Sequence, residues 1–347
     1  MKEINQTALT NKLLIILVVP VVFYILKLLS FIFVPLVSAL LISLLFMPLI
    51  RWTFKLNVPK WVTMTFITLF LLLLVYGTVS LVMISSKEIL SIERSYWQEI
   101  IGKINNLLIP IIKGLGIEYI AGQNTVSLLL NSNEMANNVY ENLGKALGFL
   151  QSTLGMILMA LFFIILLLAG SINVQKLMEN TLFEKRLTSI RTFMIIERSI
   201  VKFLIVKFLI SIATGLSFSI ACYFFDIKFP VFWGLLAFGL NFIQMFGSIF
   251  STGALSFFSF AQIDHTGTLV GFILILIGIQ VLFGSILEPI FMGHAFSINT
   301  ITILVMLMFW GFLWGIPGMI LAVPITVTVK TILEQFPKTQ VISKIMS

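Results

Sequence analysis

Cysteine occurs once, as Cys222 inside an apolar run, so no disulfide can form within the chain and cysteine usage says nothing of redox compartment. The two histidines, His265 and His294, have no Cys/His cluster around them, and no metal site is expected. Charge is scarce. Only 10% of the 347 residues are Asp, Glu, Lys or Arg, against about 25% in soluble proteins, and so few charges cannot cover a water-facing surface. No glycine-rich loop ending in Lys-Ser or Lys-Thr is present, which argues against ATP hydrolysis by this chain. No serine, cysteine or histidine constellation suggests hydrolysis. The chain is expected to be neither an enzyme nor a cofactor carrier.

What is abundant is apolar. Aliphatic and aromatic residues, with Met and Cys, make up 59% of the chain, and several runs reach the roughly 20 residues needed to cross ~30 Å of hydrocarbon. The net charge of +8 does not point to nucleic acid, because the charges sit mainly between apolar runs. That is the pattern of a multi-pass membrane protein oriented by basic loops. The fold class is therefore an all-α integral membrane protein with the lipid bilayer as its partner. Lys2 and Lys12 precede apolar residues as in a signal peptide, but the run continues to Ile50 without a small-residue cleavage pattern, so a retained first span is expected.

Residues 13–50 would make a helix of ~57 Å, too long for one crossing, so two helices meeting near Lys27 and Ser30 are predicted. Further spans are predicted at 61–84, 149–170, 203–225 and 267–287. Residues 85–148 differ: Ile89, Ile92, Tyr96, Ile100, Ile104 and Leu107 recur at helical spacing, as in an amphipathic extramembrane helix. This segment is either a solvated hairpin or a surface for oligomerisation. The chain thus divides into membrane helices over 1–84, the extramembrane segment 85–148, and a membrane core over 149–347 that includes a basic segment at 171–202. The basic loops 51–60 and 171–202 place the N- and C-termini in the cytoplasm and 85–148 outside.

Two segments do not fit simple crossings. Residues 229–260 and 297–333 would span ~48 Å and ~55 Å as single helices. Both open on Phe-Trp-Gly, at Phe232-Trp233-Gly234 and Phe309-Trp310-Gly311, and both carry breakers beyond it: Asn241 through Gly247, and Gly315, Pro317, Gly318 and Pro324. Interrupted segments at corresponding positions point to a transporter binding site. Either they form two helix-break-helix hairpins of opposite orientation, giving six spans, or they are tilted, closely packed helices, giving eight. The two models differ on whether Asp264 and His265 lie outside.

At these segments the chain resembles the autoinducer-2 exporter family of bacterial permeases, and the resemblance covers nearly its whole length. It rests on Pro48-Leu49, Lys207 through Ser211 with Thr214-Gly215, Phe232 through Phe238, Asn241-Phe242-Ile243, Glu288 through Gly293, and Phe309-Trp310-Gly311 through Pro324. The family pattern Asn-x-Ile-Pro-x-x-Gly has Gln244 here in place of proline, so the bend must come from Gly247 or from hydrogen bonding by the Gln244 side chain. The resemblance implies a homo-oligomeric transporter of the bacterial inner membrane. It also implies a small-molecule or ion substrate, through either export of autoinducer-2 or exchange of sodium (or lithium) for protons.

The candidate substrate or ion residues follow. Lys207, Ser211 and Thr214 share one helix face, Lys207 either facing a substrate path or snorkelling to an interface. Glu288, before Pro289, is either an exchanging carboxylate or a helix-end group in the headgroup region. Asn241, Gln244 and Gly247 mark the first break; Gly311, Gly315, Pro317 and Gly318 mark the second, and the two breaks are expected to face each other. Trp233, Trp310 and Trp314 read as interfacial anchors. The leading reading is a secondary transporter exporting a small polar molecule. The alternatives are a sodium/proton antiporter using Glu288 and a non-transporting membrane scaffold.

Overall fold

A computed structural model describes residues 6–90, 102–103, 155–170, 186–292, 298–335 and 339–346. Most of the expected amphipathic segment 85–148, and residues 171–185 of the basic segment, lie outside the described residues. All regular structure among the described residues is helical. Five helices there are long and apolar enough to cross a membrane, at Ser30–Lys55, Lys60–Ile89, Met194–Phe224, Thr266–Met292 and Thr300–Glu334. With the shorter apolar helices, they make this an all-α, multi-pass membrane protein.

The chain forms two compact units. The first comprises Met1–Phe70, Gly155–Leu204 and His294–Ser347. In it, α1 (Gln6–Leu28) meets α2 (Ser30–Lys55) at Leu29, the junction that the length of the 13–50 run requires. The start of α3 (Lys60–Leu90), helix α4 (Gly155–Gly170) and the start of α5 (Arg186–Phe224) follow. Residues 186–202 are thus not a loop ahead of a span beginning at 203; they are the first turns of the same helix. Glu197 there is buried and pairs with Arg51, while Lys60 Nζ donates to the Ala169 carbonyl at 2.5 Å. These contacts tie the last turns of α2 to α5 and the start of α3 to the end of α4, so that residues 51–55 of the expected basic loop are helical.

The last long helix, α10 (Thr300–Gln335), is broken at one residue, Gly315, with φ 65° and ψ −146°. Residues 310 and 318 would stand ~12 Å apart in a straight helix. Instead a Cβ on Gly318 would lie 2.0 Å from the Trp310 carbonyl oxygen, and one on Gly311 would lie 2.9 Å from Met319 Cε. The chain therefore turns back sharply at Gly315. Trp314 is buried beside this turn with Val34, Leu313 and Leu321, and its Nε1 donates to the Leu26 carbonyl at 3.0 Å. It is a core residue of this unit, not an interfacial anchor. Lys27 rests its ammonium 3.8 Å from the Phe312 ring centroid, a cation–π contact.

The second unit comprises Leu71–Leu154 and Ile205–Gly293. Here the segment 229–260 resolves into α6 (Pro230–Leu240) and α7 (Phe246–Gln262), separated by five residues. They run antiparallel: Phe229 and Trp233 at the start of α6 stack on Phe258 near the end of α7, at 5.8 and 5.1 Å between ring centroids. The Lys228 N–H donates to Gln262 Oε1 at 2.9 Å, closing the base. At ~16 Å, α6 is too short to cross hydrocarbon, so the hairpin reading holds for this segment. Trp233 is buried in the unit's core with Phe218, Phe229 and Phe272, which again removes the anchor reading.

Helix α8 (Thr266–Gln280) continues through a π-helical stretch, Val281–Leu287, into the short α9 (Glu288–Met292). The terminal α11 (Gln340–Met346) closes the first unit, with the Asn299 N–H donating to the Met346 carbonyl at 2.9 Å.

Candidate functional site

The site builds from a glycine contact. A Cβ on Gly215 of α5 would lie 2.7 Å from the Gly234 carbonyl oxygen, and one on Gly234 of α6 would lie 2.0 Å from Ser219 Oγ. Only a pair of glycines lets these helices cross so closely. Ser219 Oγ also donates to the Pro230 carbonyl at 2.8 Å. The crossing fixes α6 along α5 and delivers the hairpin tip to the polar face of α5. There Asn241 Nδ2 donates to Ser211 Oγ at 3.0 Å, both residues buried. Such an interhelical bond contributes about 0.6–2 kcal/mol in a membrane protein.

The tip reverses by an unusual device. Met245 has φ 59° and ψ −55°, and the Phe246 N–H donates to the Gln244 carbonyl at 2.7 Å. This is a γ-turn with positive φ, a rare and strained conformation for a residue other than glycine. Gly247 then packs against the incoming helix, where a Cβ would lie 1.6 Å from the Leu240 carbonyl oxygen. The bend thus arises from the Gln244 main chain and Met245, with Gly247 making room. The Gln244 side-chain oxygen plays no part in it and has no hydrogen-bond partner among the described residues.

One helical turn away from Ser211 on the same face, Lys207 Nζ lies 2.8 and 2.9 Å from the two carboxylate oxygens of Glu288. The side chains are 3% and 7% exposed. Lys207 therefore does not snorkel, and Glu288 is not a headgroup carboxylate. The π stretch positions Glu288: its N–H donates to the Phe283 carbonyl, five residues back. Pro289 supplies no N–H to the turn behind it, so the backbone around Gly284 and Ser285 loses a donor. Such π segments recur at functional sites.

The pair forms part of the wall of a cavity of about 370 Å³ within this unit. Asn241 and Gln244 from the tip, Ser248 and Thr252 from α7, Gln280 from α8 and Ser285 from the π stretch complete its polar lining. The structure thus brings together Lys207, Asn241, Gln244 and Glu288. Ser211 supports Asn241, Gly247 supports the tip, and Thr214 is buried with its hydroxyl donated to the Ile210 carbonyl of its own helix. Gly311, Gly315, Pro317 and Gly318 belong to the first unit, where they form the second reversal.

Ser248, Thr252 and Gln280 escaped the sequence reading. Hydroxyls in apolar helices commonly bond back to their own helix, as Thr214 does, and carry no signal. Gln280 did carry one: it is the sole amide side chain in the apolar run 267–287.

A family model described as AI-2E family transporter matches residues 13–338. A protein of Borreliella burgdorferi described as a "Putative transport protein" is 29% identical over 315 residues, covering 89% of this chain and 82% of its own. One of Haemophilus influenzae with the same description is 23% identical over 335 residues, 96% of this chain and 95% of its own. The AI-2 transport protein TqsA of Escherichia coli is 38% identical over 152 residues, 43% of each chain.

Proposed function

The chain belongs to the AI-2E transporter family, and from that premise we propose that it is a secondary transporter that exports a small polar molecule across the bacterial inner membrane. The observation that carries this reading is the cavity of about 370 Å³ in the second unit, lined by apolar residues and a set of polar ones, with the buried Lys207–Glu288 pair in its wall. A buried ion pair in an apolar helical environment is costly to assemble and marks a substrate or ion path by default. The hairpin α6–α7 ends at this cavity, so movement of its tip would open and close access. Autoinducer-2 is the first ligand to test, because the relative TqsA is described as an AI-2 transport protein. The proposal includes cytoplasmic termini and assembly as a homo-oligomer.

A second reading is sodium/proton exchange at Glu288, favoured by one observation: among the described residues Glu288 is the sole carboxylate lining the cavity. Purified protein in liposomes separates the two. Export predicts autoinducer-2 efflux that is lost in Glu288→Gln, with no sodium-dependent proton flux. Exchange predicts sodium-dependent proton flux lost in the same variant. Flux of neither kind across a panel of small polar solutes would overturn both readings in favour of a scaffold.

A further inference from the structure

Among the described residues, three buried polar atoms on residues lining the second-unit cavity have no hydrogen-bond partner: Gln244 Oε1, Thr252 Oγ1 and Gln280 Oε1. Roughly nine in ten buried polar atoms are paired, so three around one cavity call for a reason. The local geometry makes Gln280 an acceptor. Ser251 donates its hydroxyl proton to the Ser248 carbonyl at 3.1 Å. Its oxygen therefore receives from Gln280 Nε2, 3.4 Å away, which orients the amide. The Gln280 carbonyl oxygen is left over Gly284, 4.0 Å from where a Cβ there would sit.

Thr252 differs from four helical threonines among the described residues. Thr65, Thr78, Thr214 and Thr326 each donate to the carbonyl four residues back. For Thr252 that carbonyl belongs to Ser248 and already accepts from Ser251. Its hydroxyl is left without a partner among the described residues.

The charges beside this wall cancel. Among the described residues, Lys207 and Glu288 are the only ionisable ones lining the cavity, and each takes up the other. A charged ligand would find a counter-charge only by breaking that pair.

Resting on the transport reading above, we infer that Gln244, Thr252 and Gln280 form the recognition wall of the cavity and take an uncharged ligand through two or more of its own hydrogen-bond donors. A hydroxylated molecule of pentose size fits the volume of about 370 Å³. These residues, not the ion pair, then set specificity. A site built to receive donors rejects analogues that lack them, because its acceptors are left unpaired.

Binding to the purified full-length protein in micelles tests this, read by calorimetry and by the shift in unfolding midpoint. The probes are ribitol, ribose, the anion ribonate and the cation 1-amino-1-deoxyribitol. The neutral pair should bind, and the charged analogues at least about tenfold more weakly. The near-isosteric Thr252→Val and Gln280→Met should each weaken ribitol about tenfold, while Thr65→Val should not. Ligand-free unfolding midpoints identify any variant that fails to fold, and Gln280→Leu then replaces Gln280→Met. Preference for a charged analogue, binding of none of the four, or unchanged affinity in both cavity variants would overturn the inference. A midpoint shift by sodium chloride that both variants abolish would overturn it in favour of a cation site. Binding without flux in liposomes would leave the wall standing and overturn the transport reading instead.

Discussion

Lys207 and Glu288, 81 residues apart in sequence, hold each other through two contacts of 2.8 and 2.9 Å in the buried wall of a cavity. Removing one partner strands the other charge. Lys207→Met or Glu288→Leu alone should therefore destabilise the protein by about 3–5 kcal/mol, whereas the double variant should recover most of that loss. Thermal unfolding in micelles checks the stabilities. Liposome flux should stay abolished in the double variant, which separates a role in transport from a role in folding. Full flux in a stable double variant would make the pair purely structural.

The two reversals depend on glycines for different reasons. Gly247→Ala and Gly318→Ala would put a Cβ 1.6 Å and 2.0 Å from main-chain carbonyl oxygens. Backbone cannot yield as a side chain can, so each should cost at least the ~3 kcal/mol at the upper end of overpacking. A Cβ on Gly315 would meet nothing within 4 Å, but φ is +65°, so alanine there should cost about 1–3 kcal/mol from backbone strain alone. Gly239→Ala, with nothing within 4 Å and no positive φ, should be neutral. The order 247 and 318, then 315, then 239 should appear in the yield of monodisperse protein on size exclusion.

The long broken runs were legible because length and breakers are properties of the sequence. The 13–50 run had to divide, and it divides at Leu29; the breakers in 229–260 allowed a hairpin or a tilted crossing, and the segment reverses beyond Asn241. The shared Phe-Trp-Gly opening misled in detail. Gly234 serves a crossing with α5, while Gly311 packs against Met319 within its own hairpin. The glycines that correspond are Gly247 and Gly318, each seated on a carbonyl seven or eight residues earlier. Of the site, the Lys207 face and Glu288 could be named separately, but their pairing depends on the register of α5 against the π stretch. Nothing in a single sequence marks that stretch, nor the γ-turn at Met245, because both are set by packing around the tip.

Topology follows from contacts at one end of the second unit. Lys103 Nζ lies 3.0 Å from Asp264 Oδ1, and Ile89, at the end of α3, packs with Ile227 and Phe229 at the base of the hairpin. Lys103 and Asp264 should therefore face the same side of the membrane, as the hairpin model requires. In a Cys222→Ala background, Lys103→Cys and Asp264→Cys should both react with an impermeant thiol reagent added outside cells, and Lys55→Cys should not. Labelling of position 264 only from the cytoplasm would show that 229–262 crosses fully.

Gln244 combines two roles that substitution can separate. Its main-chain carbonyl closes the γ-turn, while its side chain belongs to the cavity lining and carries a buried oxygen with no hydrogen-bond partner among the described residues. Among the described residues its N–H has no backbone acceptor, so Gln244→Pro removes no main-chain bond and leaves the carbonyl in place. The variant should keep its unfolding midpoint within the equivalent of about 1 kcal/mol and yet bind a neutral hydroxylated ligand roughly tenfold more weakly. Met245 supplies the control for the turn itself. Met245→Gly should hold or raise stability by up to ~1 kcal/mol, because relief of positive φ outweighs the added chain entropy. Met245→Val should lose about 1–3 kcal/mol, since a β-branched residue tolerates positive φ worst. If glycine and valine at 245 prove equally stable, the γ-turn stores no strain and the tip is held by Gly247 alone. If Gln244→Pro binds as tightly as the native protein, the side-chain oxygen of Gln244 is not part of the recognition wall.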